Sequence, residues 1–236
     1  MAPQAGLQSP AQDHGAVALT PSHHPPLELL FDYAAGTLGP ATALVIEMHL
    51  ALCPHCRDEV ATFESAGGEL LEAIGPVAMA ADAFDQLLRR LDVPVEANPA
   101  PVETDDPILA VLPKAIQRIG AQALATTKWR TLVPGVRVLD LPLPTAPKGT
   151  VQLIKVGAGR GVPRHTHAGN EFTLVLNGVF NDENGHFAKG DLQITDPTVT
   201  HRPLAEPGEM CVVLAVTDAP LRLTGMLGVI QRSLGY

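Results

Sequence analysis

The sequence predicts an α plus all-β chain of two domains. A small four-helix, zinc-binding domain comes first, and an antiparallel β-sandwich or barrel that binds a second metal follows. In the N-terminal part, apolar residues recur at helical spacing. In the C-terminal part, short β-rich runs alternate with Gly, Pro, Asn and Asp. Each part carries its own cluster of metal-ligating residue types, and 236 residues with 46% hydrophobic side chains suffice for two small cores.

The charge balance argues against a protein that binds nucleic acid directly. The chain has 16 basic and 25 acidic residues, a formal net charge of −9. No Lys or Arg precedes Arg57, so the N-terminal part has no cationic surface with which to neutralise phosphates. A zinc-dependent DNA-binding regulator is therefore disfavoured.

The sequence also predicts a cytoplasmic protein without a membrane segment. Met1–Pro26 lacks the positively charged start and the apolar stretch of a secretory signal. The best apolar run, Ala43–Leu52, is interrupted by Glu47 and is too short to span a bilayer.

Composition divides the chain into four segments. Residues 1–22 are rich in Ala, Pro, Gln and Ser and predict a flexible tail. Residues 23–92 form the helical domain. The proline-rich, acidic stretch 93–107 is the natural linker, and 108–236 form the β domain.

Apolar spacing and helix-breaking residues place the secondary structure. The first helix opens after Pro25-Pro26 and ends at Ala35-Gly36-Thr37. The other three predicted helices are 41–52, 57–66 (stopped by Gly67-Gly68) and 80–91. The predicted strands are 151–156, 171–180, 191–195, 211–217 and 221–229.

The first constellation is His49-x3-Cys53-x2-Cys56. On a helix His49 and Cys53 lie on one face, one turn apart, and a new helix start after Cys53 returns Cys56 to the same place. Three such ligands suit a tetrahedral zinc ion, and His23 and His24 are candidates for the fourth position. A redox C-x-x-C is the alternative, but no thioredoxin-like βαβ pattern surrounds the pair.

The second constellation contains His165, His167, Glu171 and, after an intervening strand, His201. Residues two apart on a strand face the same side, so His165 and His167 can both point into a barrel. Glu171 rejoins them if residues 168–170 form a turn or bulge. Three imidazoles and a carboxylate suit Zn, Fe, Mn or Ni, and the ligand set does not choose among them.

The third cysteine lies apart from both constellations. Cys211 begins the apolar run Cys211–Leu214, which predicts a buried strand residue. A thiol in apolar surroundings has a raised pKa and little thiolate, so Cys211 is not expected to be an oxidant sensor.

Both constellations resemble known family motifs. The Gly159–Gly178 and Gly190–His201 patterns resemble the two cupin signatures, and the histidine–cysteine pattern resembles the zinc-binding anti-sigma domain. Joined in this order, they resemble the ChrR-type anti-sigma factors. The segments that carry the likeness are 24–56, 128–132, 171–176 and 215–221, within a similarity that spans most of 23–230.

The resemblance implies a function and a set of ligands. In that family the helical domain sequesters an extracytoplasmic-function (ECF) sigma factor. The cupin-like β-barrel is needed to release it in response to singlet oxygen or related oxidants. The implied zinc ligands are His24, His49, Cys53 and Cys56, and the implied ligands of a divalent cupin metal, expected to be zinc, are His165, His167, Glu171 and His201.

The alternative function is enzymatic. Many cupins are metal-dependent enzymes, so the chain could be a dioxygenase-like cupin with an accessory zinc module. Arg164 and Arg202 are the only obvious charged neighbours of the ligands in the sequence, and no acid–base pair accompanies the motif. The sequence therefore favours a regulator that is not an enzyme.

Overall fold

The computed structural model describes residues 20–91, 106–143, 149–219 and 221–223. The predicted tail up to residue 19, the predicted linker from 93 to 105 and residues 224–229 of the last predicted strand lie outside these ranges.

The helical module contains the four predicted helices. They are α1 (Leu27–Ala34), α2 (Pro40–Leu52), α3 (Pro54–Glu72) and α4 (Ala83–Leu91). The chain leaves α1 through Gly36, whose φ of +69° is the left-handed conformation that favours glycine. The second helix starts one residue earlier than predicted, and the fourth starts three residues later.

The predicted end of the third helix was wrong. The α3 helix runs through Gly67 and Gly68 to Glu72 instead of stopping at the glycines. A helical glycine costs about 1 kcal/mol relative to alanine, which weakens a helix without ending it. The good helix formers that follow, Glu69 to Glu72, continue the backbone hydrogen bonding.

The β module begins with two helices that the sequence pattern did not predict, α5 (Ile108–Val111) and α6 (Lys114–Thr126). The strands are β1 (Arg130–Val133), β2 (Val136–Asp140), β3 (Thr150–Val156), β4 (His165–His167), β5 (Glu171–Asn177), β6 (Phe180–Asp182), β7 (Gly185–Phe187), β8 (Leu192–Thr195), β9 (Thr200–His201), β10 (Leu204–Ala205), β11 (Cys211–Thr217) and β12 (Leu221–Leu223). The predicted strands did not include β1, β2, β7, β9 or β10. The predicted strand 171–180 is divided at Gly178, whose φ is +69°, into β5 and the start of β6.

The strands form three antiparallel sheets. The large sheet has the order β1-β2-β3-β11-β5-β8, and two three-stranded sheets have the orders β10-β6-β7 and β12-β4-β9. In the last of these, His165 lies directly opposite His201. The arrangement is the cupin-like antiparallel barrel that the resemblance implied.

The large sheet is buried on both faces. Its inner face packs against Phe180 and Phe187 of the opposing sheet, through Val136, Val156, Val175, Cys211 and Val213. Its outer face belongs to a second core, to which it contributes Leu139, Leu153, Leu174, Leu176, Val212, Leu214 and Val216.

The helical module packs on that outer face. The residues of α2 that are buried are Ala41, Leu44, Val45, Ile46, Met48, His49 and Leu50. Its apolar members share one hydrophobic core with the sheet. The domain boundary stays a prediction, but the two modules are in extensive contact, and this contact positions the first candidate site.

Two candidate metal centres

The first centre forms where three helices of the helical module meet. His24 precedes α1, His49 lies in the last turn of α2, and Cys53 and Cys56 lie at the start of α3. Pro54 opens α3, and the Cys53 side chain accepts a hydrogen bond from the backbone N–H of Cys56 (3.5 Å). The new helix start predicted after Cys53 is confirmed.

The four side chains fit a tetrahedral zinc ion. Their candidate ligand atoms all lie within 4.8 Å of one another. His24 Nδ1 is 3.4 Å from the Sγ atoms of both Cys53 and Cys56, and His49 Nε2 is 3.3 Å from Cys56 Sγ. Zinc bonds of about 2.0–2.3 Å place neighbouring ligand atoms of a tetrahedron about 3.3–3.8 Å apart, which matches these separations.

The surroundings of His49 favour the neutral form of its ring, which is the form that binds a metal. Its Nδ1 lies 2.8 Å from the carbonyl oxygen of Gly190, in the β module. A carbonyl can only accept, so Nδ1 carries the proton and Nε2 presents its lone pair to Cys56. Burial lowers the pKa of His49 to about 4, and burial and the neighbouring His55 also lower the pKa of His24.

The cysteines bind a metal only by losing their protons. Burial, together with a hydrogen bond and charge repulsion from Cys53, raises the pKa of Cys56 to about 12. Without a cation the Cys56 thiol therefore keeps its proton, and a metal ion has to displace it to form a thiolate bond. All three cysteines are free thiols.

The second centre lies inside the barrel. His165 and His167 come from β4, His201 comes from the paired strand β9, and Glu171 opens β5 after the loop at 168–170. All four are buried, and their candidate ligand atoms lie within 4.8 Å of one another. The structure thus brings together the four residues predicted for this site.

The imidazoles of this centre face one another through their lone pairs. His165 Nδ1 donates to the Pro163 carbonyl (2.8 Å) and His201 Nδ1 donates to the Asp182 carboxylate (2.7 Å). In the neutral rings, with the proton on Nδ1, both Nε2 atoms carry lone pairs, and they lie 3.1 Å apart. Two unprotonated nitrogens at this distance repel unless a cation lies between them, so the donor set fits a metal ion.

Glu171 and His167 complete the group. Glu171 Oε2 lies 3.2 Å from His167 Nε2, which is itself 3.2 Å from His201 Nε2. Burial lowers the pKa of His165 to about 4 and that of His167 to about 3, and raises the pKa of Glu171 to about 7. Burial thus disfavours the charged forms of these three side chains. A bound cation would reverse this for the carboxylate, because it favours the ionised form.

Sequence reasoning missed the hydrogen-bond partners of the candidate ligand histidines, which are the Pro163 carbonyl, the Asp182 carboxylate and the Gly190 carbonyl. Asp182, at the end of β6, accepts from His201 and from Gln193 Nε2 (2.8 Å). Burial alone would raise the pKa of Asp182, but its hydrogen bonds hold it at about 2, so it is ionised. Gly190 holds His49 through a backbone carbonyl, a role for which the sequence carries no signal.

Cys211 lies apart from both centres, as predicted. It is buried in the barrel interior, among the apolar side chains of the inner sheet face. Burial raises the pKa of its thiol to about 12, which leaves it without reactive thiolate at neutral pH.

Comparison with known proteins gives matches to both modules. Residues 118–220 match the ChrR cupin-like domain family, and residues 27–57 match a zinc-finger family. The anti-sigma-E factor ChrR of Cereibacter sphaeroides is 39% identical over 209 residues, which cover 89% of this chain and 95% of that protein.

A solved structure matches at the level of the fold as well. The crystal structure of Rhodobacter sphaeroides SigE in complex with the anti-sigma ChrR matches with a TM-score of 0.70 and 37% identity. The match covers 84% of this chain and 100% of that chain. Among the residues described here, no helix is long and apolar enough to cross a membrane.

Proposed function

The chain belongs to the ChrR family of anti-sigma factors, and we propose that it sequesters an ECF sigma factor through its helical module. The barrel releases the sigma factor when it senses an oxidative stress such as singlet oxygen. Both partners act in the cytoplasm, where the sigma factor would otherwise reach core RNA polymerase. A cupin enzyme, the alternative from the sequence, is set aside because anti-sigma factors act by binding a protein.

The observation that carries this proposal is an apolar surface that the helical module leaves uncovered. From residue 61 to residue 91 no side chain is fully buried. Nine large apolar side chains there are 43–85% exposed: Leu70, Leu71, Ile74, Val77, Met79, Phe84, Leu87, Leu88 and Leu91. We call this set the α3–α4 apolar surface. So many exposed apolar side chains in one segment are typical of a protein-binding site.

The spacing on α4 fits an amphipathic helix that docks against a partner. Phe84, Leu87, Leu88 and Leu91 recur at helical spacing on one side. The opposite side carries Asp85, Gln86, Arg89 and Arg90. A helix of this kind gains most of its stability when its apolar stripe is buried against another surface. The net charge of −9 suits a basic partner such as a DNA-binding sigma factor.

The first centre orients this surface. We assign zinc to His24, His49, Cys53 and Cys56, with the four residues tying the segment before α1, the end of α2 and the start of α3 to one point. A closed zinc site stabilises a small domain by about 10 kcal/mol or more. Bound zinc would thus fix the orientation of α3, whose C-terminal end carries part of the α3–α4 apolar surface.

The second centre serves the sensing function. We assign a divalent metal, which we expect to be zinc, to His165, His167, Glu171 and His201. When bound, the ion joins β4, β5 and β9, so damage to a ligand would change how these strands are held.

A matched pair of variants tests the partner surface. Leu88 is 43% exposed on α4 and Leu132 is 42% exposed on β1, so the two differ in place but not in exposure. Leu88→Asp should weaken binding of the purified chain to an ECF sigma factor of its own organism about 10- to 100-fold, measured by calorimetry. Leu132→Asp should bind normally.

Two results would contradict the proposal. Failure of the unmodified chain to bind any ECF sigma factor of its organism would show that the function is wrong. Equal affinity of the Leu88→Asp and Leu132→Asp variants would show that sigma binds elsewhere.

A further inference from the structure

A turn of the barrel contacts the zinc centre at two points. It consists of Gly190 and Asp191, between β7 and β8, and is called the 190–191 turn below. The Gly190 carbonyl accepts from His49 Nδ1 (2.8 Å). The Asp191 carboxylate, only 2% exposed, accepts from the backbone N–H groups of Ser22 (2.6 Å) and His23 (2.9 Å).

The first contact fixes the ring of one ligand. His49 is fully buried, and its Nδ1 proton is committed to the Gly190 carbonyl. This hydrogen bond selects the tautomer and the ring orientation in which Nε2 faces Cys56. Ligand histidines in metal sites depend on such a partner for their orientation.

The second contact fixes the backbone that delivers another ligand. His24 directly follows Ser22 and His23, both held by Asp191. The N–H of Leu192 also donates to the His23 carbonyl (3.0 Å), and the His23 ring lies 4.4 Å from that of Phe187. The segment thus lies along the start of β8, so the position of His24 depends on the barrel.

We propose that Gly190 and Asp191 are positioning residues of the zinc centre, so that the barrel sets how tightly the helical module retains zinc. The inference rests on the zinc assignment made above but not on sigma binding. Loss of a hydrogen-bond partner of a metal ligand weakens metal affinity by about 10- to 100-fold. Loss of the barrel contacts should have an effect of this size.

Gly190 offers a way to disturb the contact without touching a ligand. Its φ is +92°, and a Cβ there would lie 2.6 Å from Pro21 Cγ and 3.5 Å from Leu52 Cβ. Gly190→Ala would therefore push the segment before His24 away from the turn. Gly208 has a φ of +114° with nothing within 4 Å of an added Cβ, so Gly208→Ala brings comparable backbone strain without the clash.

The test measures zinc transfer from the full-length chain to a chromophoric chelator. Asp191→Ala and Gly190→Ala should lose zinc about 10- to 100-fold more readily than the unmodified chain. Gly208→Ala and Asp140→Ala should behave like the unmodified chain. Asp140 is an exposed aspartate of β2 that is hydrogen-bonded to Gln152 (2.6 Å).

Two further measurements separate positioning from general damage. The barrel metal content of the Asp191→Ala variant should stay unchanged. Asp191→Asn should recover part of the zinc retention, since its amide oxygen can still accept from Ser22 and His23 while the bond from Ala188 N–H (2.8 Å) is lost.

The outcomes are distinguishable. Unchanged zinc transfer in both the Asp191→Ala and the Gly190→Ala variants would overturn the inference. Loss of both metals together, or no recovery in the Asp191→Asn variant, would also overturn it in favour of a general loss of structure. Absence of zinc from the unmodified chain would overturn the zinc assignment itself, and this inference with it.

Discussion

The two candidate centres differ in how much of the molecule each requires. The barrel centre is complete within one module, because its four side chains and their partners Pro163 and Asp182 all belong to the barrel. The helical centre takes its ligands from one module and the partner of His49 from the other. The barrel centre can therefore form wherever the barrel folds, whereas the hydrogen bond that orients His49 forms only when the two modules are in contact.

Their donor atoms differ as well. Two thiolates neutralise a zinc ion and favour it over harder metals, which suits a closed structural site. Three imidazoles and one carboxylate leave a divalent ion with net positive charge and do not select among first-row metals. The donor set of the first centre is therefore selective for zinc, whereas the donor set of the second can bind several first-row divalent metals.

The largest expected effect separates the centres by removing ligands. Replacing both Cys53 and Cys56 with Ala should abolish zinc binding at the helical centre and, with it, sigma binding, because about 10 kcal/mol of stabilisation is lost. His167→Ala should instead empty the barrel centre, leave zinc and sigma binding in place, and prevent release by singlet oxygen. Metal analysis and sigma-binding titrations with and without a photosensitiser measure both.

Each half of this prediction can fail separately. If the cysteine variant also loses the barrel metal, the two modules form one cooperative unit. If the His167→Ala chain releases sigma normally in response to oxidant, the barrel metal has no part in sensing.

The second prediction concerns the metal-free chain at acid pH. The pKa values of His49, His165 and His167 are lowered from 6.5 to about 4, 4 and 3. Between pH 6.5 and about 4 the unfolded chain binds protons at these positions that the folded chain does not. Stability contributed by the neutral imidazoles is therefore lost as the pH falls through this window.

Glu171 opposes this trend. Its pKa is raised from 4.5 to about 7, so the folded chain binds its proton more readily and gains stability as the pH falls from 7 to 4.5. The stability lost at the three imidazoles exceeds the stability gained at the one carboxyl. The melting temperature of the chelator-treated chain should therefore fall from pH 7 to pH 4.5. Glu171→Gln should make the fall steeper, and a melting temperature that rises on acidification would contradict the assignment.

The sequence predicted which candidate ligands come together better than it predicted their surroundings. His49, Cys53 and Cys56 are related by helical spacing, and His165 and His167 by strand spacing, so local periodicity brings them together. Asp182 and Gly190 act across gaps of 19 and 141 residues, on His201 and His49 respectively. No local pattern marks such partners, because tertiary packing alone creates the contact.

The same contrast between local pattern and tertiary packing explains which parts of the fold could be predicted. Cys211–Thr217 was predicted with its observed bounds because it is a continuous apolar run, and it proves to be a central strand covered on both faces. The α3 helix was predicted too short because the stopping effect of two glycines was overestimated. The shared core of α2 and the large sheet was not predicted, since a helix that is apolar nearly all round does not show which surface will cover it.

The smallest expected effect tests whether the barrel centre is as self-contained as its geometry indicates. Asp182 is the barrel counterpart of Gly190, because it holds the Nδ1 proton of His201 and so directs Nε2 toward the other ligands. Asp182→Ala should weaken binding of a divalent metal to the barrel about 10- to 100-fold, while zinc retention at the helical centre stays unchanged. Competition with a chelator at both centres measures this. Asp140→Ala, which removes an exposed aspartate from the same module, serves as the control.

Strand β8 makes the result informative, because Gln193 donates to Asp182 only two residues beyond Asp191. Faster zinc release in the Asp182→Ala variant would show that β8 couples the two centres, and the comparison drawn above would then hold for their ligands but not for their energetics.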